Sequence, residues 1–177
     1  MRRLTLITAL FLVLMCVYAV TGPAAAAPTP APGTGAAYYL VTWTKGQAPT
    51  VTQSQGTAPA TAAIPATESS CVWDLLPPDK ENSTTIDEAA TASCSADVYF
   101  VSGTDQLWRG VSKGPYLIGS DYENSDNGFI AWLVEGACPK NQTWAYWANI
   151  PTIHACSDEN GCINTGDLSS PIHYWSC

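Results

Sequence analysis

Short stretches dense in β-branched and aromatic residues, separated by Gly, Asn, Asp and Pro, recur along the chain from residue 38 onward. Tyr38 to Thr44 reads YYLVTWT and ends at Lys45-Gly46, the pattern of a strand followed by a turn. Asp97 to Val101 and Gln106 to Val111 flank Ser102-Gly103-Thr104-Asp105, which predicts a hairpin. Phe129 to Val134 is apolar at every position and predicts a central strand covered on both faces. Thr143 to Ile150 and Ile172 to Ser176 supply further strands, while Asn127-Gly128 and Asn160-Gly161 suit type I′ turns.

One segment departs from this pattern. In Thr85-Ile86-Asp87-Glu88 a hydroxyl is followed three residues later by a carboxylate, the arrangement that satisfies free amides at a helix start. It predicts a short helix over 86–93. The whole set predicts a mainly β, antiparallel, disulfide-stabilised domain, either barrel, sandwich or trefoil-like, with one short helix.

The N-terminal part differs in composition. Arg2 and Arg3 precede an apolar run from Leu4 to Val20, then Gly22-Pro23 and Ala24 to Ala27, so residues 1–26 read as a signal peptide and the protein as secreted. Residues 27–70 are rich in Ala, Pro and Thr and read as a flexible segment carrying one strand at 38–44. Within it, residues 47–70 fit either an O-glycosylated stalk or a disordered loop. Residues 71–177 form the stapled β domain. No second apolar run is long enough to span a bilayer, so no membrane span is expected after cleavage. Net charge is −8, and loss of Arg2 and Arg3 leaves five basic residues against fifteen acidic ones. Such a surface repels phosphate backbones, which argues against a nucleic-acid partner.

Of seven cysteines, Cys16 lies in the leader; Cys71, Cys94, Cys138, Cys156, Cys162 and Cys177 remain, an even set suited to three bridges in an oxidising compartment. The expected pairs are Cys71 with Cys94, Cys156 with Cys162, and Cys138 with Cys177. His154, Cys156, Cys162, His173 and Cys177 are zinc-competent side chains, but their spacing matches no common finger and export favours oxidation, so no metal is assigned. Asp121 to Gly128 concentrates oxygen ligands yet fails the EF-hand rule, with Asp126 and Trp132 where Gly and Glu belong. There is no Gly-x-Ser-x-Gly, His-Glu-x-x-His or phosphate loop, hence no assigned catalytic residue and no cofactor.

The aromatic load points instead to binding. Seven tryptophans remain after cleavage, and rings flanked by carboxylates and amides suit sugars, whose C–H faces stack on aromatic planes. Trp132, Tyr146, Trp147, Trp175 and Asp121 are the candidate residues for an extracellular glycan. Gln106-Leu-Trp108 and Gln142-Thr-Trp144, 36 residues apart, resemble the Gln-x-Trp signature of ricin-type β-trefoil lectins over about a third of the mature chain. The resemblance implies a sugar-binding trefoil; it departs at the C-terminus, where Tyr174-Trp175-Ser176-Cys177 lacks the signature. Two other readings compete. Cys138-Pro139-Lys140 resembles the loop of disulfide-braced protease inhibitors, with Lys140 as specificity residue. A structural or effector protein with a protein partner makes no residue-level forecast. Asn82 and Asn141 head glycosylation sequons and are expected on exposed loops.

Overall fold

In a computed structural model, which describes residues 35–59, 64–111 and 114–177, the chain forms twelve β-strands and no helix among those residues. The expected leader and the arm to residue 34 lie outside the described residues. The strands are β1 (Ala37–Trp43), β2 (Thr50–Gln55), β3 (Ser69–Leu75), β4 (Asp79–Lys80), β5 (Thr85–Cys94) and β6 (Val98–Val111). They continue with β7 (Gly114–Ser125), β8 (Phe129–Ala137), β9 (Thr143–Ser157), β10 (Gly161–Thr165), β11 (Leu168–Ser169) and β12 (His173–Ser176). All pairings are antiparallel and fall into two six-stranded sheets.

The first sheet runs from β2 through β1 and β3 to β5, with β4 continuing the β3 edge and β8 on the other side of β5. The second has β9 at its centre, bordered by β6 and then β7 on one side and by β10, β11 and β12 on the other. Their inner faces meet in a single core, where Trp73 of β3 stacks on Trp132 of β8 at 5.6 Å and 27°. At the β7–β8 corner the backbones approach so closely that a Cβ on Gly119 would strike the Glu135 carbonyl, and one on Gly136 would strike the Ile118 side chain. Only glycine fits there.

Several sequence expectations need correcting. The helix over 86–93 is strand β5: Ile86, Glu88, Ala90 and Ala92 alternate inward, a period of two, and both edges are paired. A capping-box signature marks a helix only when its carboxylate is free to reach the backbone, and Glu88 is turned into the core. Ser102 to Asp105 does not turn but continues as part of the fourteen-residue β6. Phe129 to Val134 is covered on one face only, with Phe129 and Leu133 exposed. In both Asn-Gly turns only the glycine has positive φ, so neither is type I′.

Residues 27–70 also contain more structure than one strand. Ala37–Trp43 is central, hydrogen-bonded to both β2 and β3, with Val41 and Trp43 buried. The trefoil alternative finds no counterpart: two sheets face each other, and Gln106-Leu-Trp108 lies within β6 whereas Gln142-Thr-Trp144 begins β9 from a turn.

The six cysteines pair as expected. Cys71–Cys94 joins directly opposed residues of β3 and β5, and Cys156–Cys162 does the same for β9 and β10. Cys138–Cys177 ties the chain after β12 to the β8–β9 connection, clasping a four-residue strand. In the chain-entropy account each bridge contributes about 2–4 kcal/mol.

Candidate functional site

The expected glycan-binding rings are not together at the surface. Trp132 is 3% exposed and belongs to the central stack, Trp147 is buried with its ring against Gly110, and the Tyr146 hydroxyl donates to Cys138 Sγ at 3.3 Å inside the core. Trp175 is half-buried and donates its indole N–H to the Pro78 carbonyl at 3.0 Å. Asp121 lies opposite Asp105 in the β6–β7 pairing and accepts from the Tyr122 amide. Burial removes the first three rings from contact with a sugar.

Strand pairing assembles a different surface. On β6 the residues Val101, Gly103, Asp105 and Leu107 turn inward, so Thr104, Gln106 and Trp108 line the outer face. Directly opposed residues of antiparallel strands share a face. Three registered rows therefore cross the second sheet from β9 to β7, Thr152–Thr104–Tyr122, Asn149–Gln106–Ser120 and Trp147–Trp108–Leu117, with Asn149 and Trp147 themselves buried at the β9 end. None of these nine side chains is charged, in a chain with fifteen acidic and seven basic residues. Tyr122 is 57% exposed, and the Trp108 indole N–H donates to Gln106 Oε1 at 3.2 Å, holding ring and amide side by side. Gln106-Leu-Trp108 was visible in the sequence; Thr104 and Tyr122 were missed because Ser102 to Asp105 reads as a turn.

The interior beneath those rows carries the strongest electrostatic perturbation. Glu88 of β5 and Asp105 of β6 are 2% and 0% exposed. Among the described residues the two carboxyls face each other with no other side-chain partner, and the Gln106 backbone amide favours the charged form of Asp105. Asp105 sits at a bulge, where Ile150 and Pro151 of β9 lie between the partners of Thr104 and Gln106, and Pro151 has no amide to offer. Burial pushes the Glu88 carboxyl well above its usual range, and Asp105, Asp87 and Asp74 push it the same way. Asp105 is also raised by burial, against a hydrogen bond from Glu88. Glu88 thus keeps its proton and donates to Asp105. A pair this enclosed has no route to a bulky substrate.

Elsewhere, a cleft of about 610 Å³ lies between the β2–β3 connection and the first sheet, lined by residues including Pro65, Glu68, Val72 and Asp97, with no aromatic ring. Lys140 is exposed on a tight turn that includes Asn141 at φ 67°. The sequon asparagines Asn82 and Asn141 are both exposed. His154, Cys156 and Cys162 bring ligand-type atoms within 4.8 Å of one another, but the two sulfurs form a disulfide and carry no thiolate for a metal. Among the described residues no helix is long and apolar enough to cross a membrane. Comparison with known protein families, with curated proteins and with solved structures found no match.

Proposed function

We propose that the chain is exported, loses residues 1–26, and acts as an extracellular binding protein for a neutral carbohydrate, bound on the outer face of the second sheet. The observation that carries this reading is the uncharged Thr104, Gln106, Trp108 and Tyr122 surface on a strongly acidic chain. Exposed aromatic area beside hydroxyl and amide groups matches the two faces of a sugar, apolar C–H and polar O–H. The three disulfides and the leader both support export.

Protease inhibition through Lys140 is the weaker reading, since protease clefts take up extended backbone and Lys140 lies in a turn. The decisive experiment is a broad glycan array probed with the folded chain and with Tyr122→Ala and Gln106→Ala. Selective binding that both variants lose, at unchanged unfolding midpoints, is the expected result. A blank array, or binding that survives both substitutions, overturns the proposal.

A further inference from the structure

The Cys156–Cys162 bridge differs chemically from the other two. Cys162 is exposed while Cys156 is buried, so an incoming thiol meets one sulfur first. Cys156 Sγ lies 3.3 Å from His154 Nε2. The other ring nitrogen, His154 Nδ1, lies 2.9 Å from Asn164 Oδ1, an acceptor that holds the proton on Nδ1 and leaves Nε2 facing the sulfur. Strand register enforces the set: Asn164 is directly opposite His154, Cys162 directly opposite Cys156, and both pairs share the outer face. Phe100 of β6 packs edge-on against the imidazole at 5.7 Å. Among the described residues no imidazole is shown against either of the other bridges. The second histidine, His173, packs against Trp175, and the group that hydrogen-bonds Cys138 is the Tyr146 phenol, whose pKa burial raises against the opposing effect of Arg109.

We propose that Cys156–Cys162 is a thiol–disulfide exchange site, with Cys162 as the sulfur attacked, Cys156 as the leaving sulfur and His154 as the proton acceptor and thiolate partner. The co-reactant is a cysteine thiol, supplied by a small molecule or by another exported chain. Neutral His154 takes the thiol proton on Nε2, and the resulting thiolate attacks Cys162 Sγ. A new S–S bond forms to Cys162, the Cys156–Cys162 bond breaks, and its electron pair stays on Cys156 as a thiolate beside imidazolium. A second thiol, giving up its proton, attacks the co-reactant sulfur of the mixed disulfide; Cys162 leaves as a thiolate and takes that proton, while the proton on His154 passes to Cys156. Two thiols have been oxidised to one disulfide, and Cys156 and Cys162 have been reduced to two thiols. The reverse sequence oxidises a partner dithiol. Exchange is faster when the leaving thiolate is stabilised, and the His154 cation supplies that stabilisation. Asn164 acts as a positioning residue.

The test incubates the full folded chain with glutathione in one arm and with a reduced cysteine-containing peptide in the other. Free thiols are trapped by alkylation at intervals and mapped by mass spectrometry. Cys156 and Cys162 are expected to be labelled about tenfold sooner than the other four cysteines, with the transient mixed disulfide on Cys162. His154→Ala is expected to slow opening by about tenfold. Asn164→Ala is expected to slow opening by a smaller factor, and Asn164→Asp, which keeps an acceptor for Nδ1–H, to restore most of the rate. A preference for one arm identifies the thiol source. Equal labelling of all three bridges, a mixed disulfide on Cys156, or an unchanged His154→Ala rate at an unchanged unfolding midpoint overturns the proposal. If His154→Ala fails to fold, the wild-type labelling order and the site of the mixed disulfide decide it.

Discussion

Asp105 and Gln106 are neighbours on β6 and face opposite environments. Asp105 points between the sheets and faces Glu88, fully buried, whereas Gln106 points out beside Trp108 and opposite Ser120. The inner carboxyls have no side-chain partner beyond their own dyad among the described residues, while Gln106 and Trp108 are only half-buried. An isolated buried carboxylate is costly, and sharing a proton is the inexpensive way for two of them to coexist. On the outer face the same strand presents a hydroxyl, an amide and a ring, the groups on which the proposed glycan site rests. Polar residues on one strand can therefore have unrelated roles, and the face decides which.

The largest expected effect that separates the two regions comes from the rings. Trp132→Ala empties half of the central stack and is expected to cost about 3–5 kcal/mol in urea unfolding, whereas Trp108→Ala is expected to cost far less and to abolish glycan binding. Equal losses from the two would break the distinction. Gly119→Ala comes next, since its methyl has no room against the Glu135 backbone at the corner that joins the sheets; about 1–3 kcal/mol is expected by the same measurement.

The dyad gives a pH signature that the outer face lacks. Unfolded Glu88 releases its proton near 4.5, but in the folded chain burial and Asp105 keep the proton bound well above that pH. Between the two values the folded state binds more protons than the unfolded state, so stability is complete below about 4.5 and declines as pH rises through the raised folded value. Glu88→Gln, which can still donate to Asp105, is expected to flatten that decline in unfolding curves taken from pH 4 to 9; an unchanged slope removes the proton from Glu88. The smallest effect on stability belongs to Tyr122→Ala, expected within about 0.5 kcal/mol of the parent. A larger loss would place Tyr122 in the framework and not on a binding surface.

Parts of this arrangement are legible along the chain and parts are not, for definable reasons. Tyr38 to Thr44 is recognisable as a strand because branched and aromatic residues crowd into it, and the five residues between Cys156 and Cys162, with Asn160-Gly161, announce a bridged hairpin. The Thr85 to Cys94 strand is concealed by small residues: Ala89, Ala90 and Ala92 suit a helix by intrinsic preference, and pairing with β3 and β8 overrides it. β6 is concealed because Gly103 and Asp105 look like turn residues, although Gly103 is there to admit the Trp132 ring and Asp105 to face Glu88. The candidate surface is concealed for the same reason, since Thr104 and Tyr122 meet only through a pairing eighteen positions apart.

From residue order alone follow the β class, the oxidised three-bridge framework and the strongly acidic composition, because local propensity, cysteine count and charge are carried by single residues and short runs. Which rings are buried, which carboxyls share a proton and which sulfur lies beside His154 were decided by tertiary structure. Alternation along a strand says which side chains share a face; only pairing with distant strands determines whether that face meets the other sheet or water.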